Sequence, residues 1–235
     1  MQPENKQFAR SARRPVGTPR RSSASADPAA VDRHDAILNA AERLFAASGF
    51  AATSMRAIAQ GAGVVQSLLH YHFGTKEKLF EAVFTRRSAE LNQARLRRLE
   101  ETMARGVPEL AVLLEILLRP TVELGRDALK GTHHFSRLIM SVAVSQEERD
   151  KQLMSHHFDA FALRFIDALQ VVLPGLSRPD AVWGYLFSVG VAMTMMAPTG
   201  RADRLSGGRC DDADTDDVLQ RVIRFAEAGL RASVR

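Results

Sequence analysis

The stretch Thr53-Ser54-Met55-Arg56-Ala57-Ile58-Ala59-Gln60-Gly61-Ala62-Gly63-Val64-Val65-Gln66-Ser67-Leu68-Leu69-His70-Tyr71-His72-Phe73-Gly74-Thr75-Lys76-Glu77-Lys78-Leu79 sets two short helix patterns around a glycine and then starts a third helix. Thr53 is placed to cap the first, where Met55, Ile58 and Ala59 recur on one face at helical spacing. Gly63 supplies the turn. The second pattern, Val64 to Phe73, offers Val64, Leu68, Leu69 and Phe73 inward and leaves Gln66, Ser67, His70, Tyr71 and His72 outward. Side chains that donate and accept hydrogen bonds suit base edges and phosphates, so the pattern predicts a DNA-reading helix-turn-helix.

Working outward, Ile37, Ala40, Ala41, Leu44 and Phe45 form the inner face of a preceding helix, entered from Asp32 or Asp35 and closed by Gly49. Thr75 is expected to cap a long helix past Leu91 and Leu99 toward Arg105. Pro108 is expected to open another, interrupted at Pro120. Further helical patterns run over about 132–145, 148–173, 179–197 and 215–232, and 199–214 reads as a polar loop. No strand alternation and no nucleotide-binding glycine motif stands out. The expected fold class is all-α: a three-helix helix-turn-helix domain over 31–80, then a helical ligand-binding and dimerisation domain over 81–235.

The stretch from about Ala36 to Val83 resembles the N-terminal domain of TetR-family transcriptional regulators. The resemblance is carried in order by Ala47-Ser48-Gly49-Phe50, Thr53 with Arg56-Ala57-Ile58-Ala59, Ala62-Gly63-Val64, Tyr71-His72-Phe73 and Lys76-Glu77-Lys78-Leu79. Val65 departs from it, because the family usually has Ser or Thr there to cap the recognition helix and a valine cannot cap. In the C-terminal part, Arg137-Leu138-Ile139, His157-Phe158-Asp159 with Arg164-Phe165, Leu173-Pro174 and Leu205-Ser206-Gly207-Gly208 are similar to the fatty-acid-responsive, PsrA-like branch. The resemblance implies a cytoplasmic regulator, typically a repressor, bound to a palindromic operator of double-stranded DNA and released by a small effector. For the branch, that effector is a fatty acid or acyl-thioester.

Composition agrees with such a partner without specifying it. A net charge of +5 and a pI near 9.9 favour a polyanion, and 46% hydrophobic residues over 235 supply a sizeable core. The lone Cys210 provides neither a disulfide framework nor a cysteine-based zinc site, and a reducing compartment is the default. Residues 1–30 lack the apolar segment of a secretory signal and read as a disordered basic tail, with Lys6, Arg10, Arg13, Arg14, Arg20 and Arg21 against Glu4 and Asp27. Such a tail either stays solvated or adds DNA contacts. Ala181 to Gly200 carries no charge, but Gly184, Ser188, Gly190, Thr194 and Pro198 dilute it below a membrane span.

The residues expected against DNA are Thr53, Gln66, Ser67, Leu68, His70, Tyr71, His72 and Lys76. Lys76 is argued from charge: a cation in a first helical turn opposes the helix dipole, so a phosphate at that N-terminus would explain it. For an effector, His134, Phe135, Arg137, Leu138, Val142, Phe158, Phe161, Phe165, Trp183 and Phe187 are the candidate lining. His134 and Arg137 would anchor an acidic headgroup, and Met193, Met195 and Met196 are adaptable neighbours. The same aromatic set also serves as plain core. The pairs His133-His134 and His156-His157 lack the i, i+4 spacing that puts two metal ligands on one face, so neither metal nor cofactor is expected. They leave open a helical enzyme or ligand carrier as the rival reading, beside a transcriptional activator. The apolar faces of 179–197 and 215–232 predict a homodimer.

Overall fold

The computed structural model describes residues 28–126 and 133–234, and every regular element among them is a helix. The basic N-terminal segment lies outside the described residues. In order the elements are α1 (Pro28–Ala52), α2 (Met55–Ala62), α3 (Gln66–Phe73), α4 (Lys76–Ala104) and α5 (Leu110–Glu123). They continue with α6 (His133–Ala143), α7 (Glu148–Val172), α8 (Arg178–Thr194), α9 (Arg201–Ser206) and α10 (Thr215–Ala232). None of these helices is long and apolar enough to cross a membrane.

Local chemistry explains the N-terminal boundaries. Gly49 sits at φ 76°, ψ 168°, a conformation open to glycine, and bends α1 just before its end. Ser54, not Thr53, caps α2: its hydroxyl accepts from the Ala57 N–H at 3.1 Å. Gly63 ends α2 in the left-handed region, its N–H donating to the Ala59 and Gln60 carbonyls. Val65 occupies the N-cap of α3 and makes no side-chain cap bond there, as its chemistry dictates. Thr75 caps α4 by accepting from Lys78 N–H.

Two expected boundaries are corrected. Pro120 lies inside a continuous α5, and on the same turn the Thr121 hydroxyl and the Arg95 guanidinium both donate to the Leu117 carbonyl. The 199–214 loop contains α9, held by Asp212, whose carboxylate accepts from the N–H groups of Thr199 and Gly200.

Packing divides the buried side chains into two clusters. One has α5 at its centre, with Leu110, Leu113, Leu114, Ile116, Leu117 and Leu118 against α4, α7, α8 and α10. Helices α8 and α10 approach closely at Gly184, where a Cβ would stand 2.3 Å from Leu230 Cδ2. The other cluster joins α1–α4 to α6 and the first half of α7. Rings link it end to end: Phe50 to Phe80 at 5.2 Å, Phe80 to Phe84 at 6.4 Å, and Phe84 to Phe135 and Phe158 at 5.3 and 6.1 Å. Glu42 of α1, 2% exposed, accepts from Arg86 Nη2 and Arg87 Nε of α4, both at 2.9 Å. Thus α4 belongs to both clusters, with Leu79, Phe80, Val83 and Phe84 in one and Leu99 in the other.

Candidate nucleic-acid interface and effector cavity

Helix α3 buries Leu69 and Phe73, half-buries Leu68 and exposes Gln66, Ser67, His70, Tyr71 and His72; Tyr71 is 81% exposed. On that outer face the His70 Nδ1–H donates to the Gly74 carbonyl at 2.9 Å, because a carbonyl can only accept. The His70 Nε2 is then the acceptor for the Gln66 amide at 3.3 Å. Gln66 is thereby oriented along the helix, with its carbonyl oxygen still available to accept.

Two residues assigned to DNA from the sequence have other partners. Thr53 is 4% exposed, and its hydroxyl reaches the Gly49 carbonyl at 2.7 Å and the Leu44 carbonyl at 3.2 Å. Lys76 turns away from solvent: Nζ donates to the carbonyls of Phe50, Thr53 and Ala51 at 2.9, 3.0 and 3.4 Å and sits 4.4 Å from the Phe50 ring centroid. The cation that opposes the dipole of α4 therefore serves the carbonyl end of α1, where positive charge is favourable. The start of α4 has its own anion. The Glu77 carboxyl is held below the usual range by its own backbone N–H, then by the Thr75 hydroxyl. Arg56, in the first turn of α2, is exposed and has no side-chain partner among the described residues.

Inside the C-terminal half lies a cavity of about 60 Å3 lined by Leu91 and Arg95 of α4, Thr121 and Leu124, Ile139, Met154 and Phe158, and Tyr185, Val189, Met193 and Met196. Of the ten side chains expected to line an effector site, Phe158 alone lines this cavity. Arg137 is exposed. His134 is half-buried beside α1; burial first, then His133, holds its pKa below the ordinary value, while Glu42 opposes that. Phe135, Leu138 and Val142 fill the core shared by α1, α4 and α6, and Phe161 and Phe165 fill the core around α5. Trp183 and Phe187 point outward at 57% and 65% exposure, their rings stacked 5.5 Å apart. With Leu186 and Phe225 they line an open apolar groove of about 880 Å3 between α8 and α10.

Arg95 is the residue that sequence reasoning missed. It is 5% exposed, and desolvation pulls it down to about 10, so it remains cationic at neutral pH. Nη2 donates to the Leu117 carbonyl at 3.1 Å and to the Thr121 hydroxyl; Nη1 reaches Asn92 Oδ1 at 3.5 Å; Nε has no partner. No described carboxylate forms an ion pair with it. The signal was present in the sequence as a cation midway between Leu91 and Leu99 on one helical stripe.

Of the two histidine pairs, His157 ties helices together. His157 Nε2 lies 3.3 Å from Thr85 Oγ1, and Asn92 Nδ2 donates to the His157 carbonyl at 2.6 Å, fastening α7 to α4. Among the described residues no cluster of three His, Cys, Asp or Glu could hold a metal.

A two-helix reading unit on a helical body defines the class of helix-turn-helix proteins, and similarity to known proteins narrows it. Residues 37–83 match the profile described as bacterial regulatory proteins, tetR family, and residues 115–229 match the tetracyclin repressor-like C-terminal domain. Together they span well over half of the chain, which therefore belongs to the TetR family of transcriptional regulators. That family comprises regulators, not enzymes. The chain is 29% identical over 141 residues to the HTH-type transcriptional regulator AcrR of Shigella flexneri, an alignment covering 53% of this chain and 63% of the relative. The fold is shared with the fatty acid degradation regulator FadR of Bacillus halodurans, at TM-score 0.56 and 14% identity over 81% of this chain and 97% of the other. It is also shared with a TetR-like regulator of Rhodococcus sp. RHA1, at TM-score 0.56 and 22% identity over 84% and 96%.

Proposed function

We propose that this protein is a homodimeric cytoplasmic repressor, released from a palindromic operator by a small, mostly apolar molecule. Residues 31–80 form its reading unit and 81–235 its effector and dimer domain. The observation that carries this reading is the outer face of α3, whose exposed side chains are all of types able to hydrogen-bond while its apolar ones are spent on the core. Gln66, Ser67, His70, Tyr71 and His72 make the DNA contacts, and Arg56 takes the phosphate role expected of Lys76. Two copies joined through α8 and α10 set two α3 helices in successive major grooves, about 34–36 Å apart.

The fatty-acyl class of effector is supported by the C-terminal motifs around Arg137 and His157 and by the fold shared with a fatty acid degradation regulator. A cavity of about 60 Å3 is far below the roughly 300–1,000 Å3 of small-molecule sites, so such a ligand must open it. Met154, Met193 and Met196 give way most easily, and the walls they share with Leu91 and Arg95 push on α4. At its other end α4 carries Lys76, fastened to α1, and the ring series from Phe158 to Phe50 couples the same two regions. Release follows because the opened state holds the reading helices at the wrong separation and binds the ligand better.

A gel-shift titration with the DNA upstream of the protein's own coding sequence tests the reading. A specific complex is expected, with Gln66→Ala relaxing preference at one position of each half-site. A helical carrier would bind acyl compounds and give no sequence-specific shift.

A further inference from the structure

The interior cavity is apolar apart from one corner, and that corner holds a full charge. Arg95 reaches it from α4 with Nε unpartnered, no described carboxylate beside it, the Phe161 ring centroid 5.5 Å from its guanidinium carbon, and Leu91, Ile139, Phe158 and Met193 among the apolar lining. A guanidinium taken out of water is strongly destabilising unless an anion meets it, and a planar fork meets a carboxylate with two parallel hydrogen bonds. Asn92, Thr121 and the Leu117 carbonyl contribute only neutral dipoles. We infer that Arg95 is the anchor for the carboxylate of the effector, so that the ligand class is a monocarboxylic acid whose apolar body enters between the methionines.

The inference rests on the reading that this domain binds an effector, and it adds the charge. It relocates the headgroup from Arg137, which faces solvent, to the middle of α4. The competing role for Arg95 is purely internal: holding the Leu117 carbonyl on the turn that Pro120 loosens.

The experiment is a thermal-shift and calorimetric comparison on the full chain with butyrate, benzoate, octanoate and palmitate, each beside its matched primary alcohol. At least one acid is expected to raise Tm and to bind at least about tenfold more tightly than its alcohol. In Arg95→Met that preference should vanish, while Tm without ligand stays level or rises, because an unpaired buried charge gives way to an apolar side chain. Arg95→Lys, which keeps the charge without the fork, should retain a reduced preference for the acid and remains informative if the Met variant does not fold. Acids and alcohols binding alike would overturn the anion site and leave an apolar effector standing. Stabilisation by butyrate or benzoate with none by the longer acids would keep the anion site and remove the fatty-acyl reading. If no acid shifts the wild-type protein, or if Arg95→Met merely lowers Tm while keeping the acid preference, Arg95 is only a structural brace.

Discussion

Lys76 and Arg56 show how charge alone misleads at the scale of one residue. Both are cations in a first helical turn, where the dipole disfavours them, and both sit beside a reading helix. Only three-dimensional placement separates them: Lys76 is consumed by the Phe50, Ala51 and Thr53 carbonyls, whereas Arg56 is exposed. A charged donor bonded to protein acceptors is worth about 1.5–3 kcal/mol. Lys76→Ala should therefore lower Tm by several degrees, and any weakening of DNA binding should leave the salt slope unchanged. Arg56→Ala should keep Tm and lower the salt slope of operator binding by about one unit. A salt titration and a melting curve on each variant settle the assignment; the opposite pairing of results would return the phosphate to Lys76.

Among the N-terminal helices α1–α4, α3 is the least secured. It is eight residues long, buries only Leu69 and Phe73, and begins at Val65 without a side-chain cap. Val65 is 69% exposed, so replacing it removes little packing. Val65→Ser should supply the missing acceptor and stabilise α3 by about 1 kcal/mol, raising Tm by roughly 2–4 °C if the whole chain melts as one unit. Hydrogen exchange of the α3 amides is the more direct readout and should slow in the variant. Unchanged exchange would mean that water already satisfies the N-terminus of α3 as well as a serine does. Helix α4 is the opposite case: its first half is buried among the N-terminal helices and its second half among those of the body, with the Glu42 carboxylate pinned to Arg86 and Arg87. A short, loosely capped reader fixed to a long, doubly buried lever suits a device in which motion originates in the body and is read out at α3.

For the whole molecule, the decisive surface is the outer side of α8 and α10. Trp183, Phe187 and Phe225 are 57%, 65% and 69% exposed, an amount of aromatic surface that a lone chain does not leave to water without cause. Burying one such side chain is worth roughly 1.5–3 kcal/mol, and in a two-fold interface each counts twice. Phe225→Asp should accordingly give a monomer at micromolar concentration by sedimentation. Its operator affinity should fall far more than that of any single α3 variant, since both half-sites are lost together. A dimer persisting in Phe225→Asp and in Trp183→Asp alike would move the interface elsewhere.

Local rules were enough for much of this protein. Helix boundaries at Gly63 and Thr75, the inward faces of α1 and α3, and the outward polar residues of α3 follow from periodicity and capping, which act within one or two turns. The family motif belongs to the same local category, because its ordered pieces lie within 37–83. What the linear pattern left undecided is which apolar side chains meet one another. Trp183 and Phe158 are equally greasy in sequence, yet one faces solvent and the other a cavity, because α8 turns Trp183 and Phe187 away from the core around α5. The internal partners of Thr53 and Lys76 were out of reach of the linear pattern for the same reason: they lie up to 26 residues away across the elbow of α1. Arg95 is the clearest instance, since only the convergence of α4, α5, α7 and α8 removes it from water and leaves its charge with neutral partners and no described carboxylate.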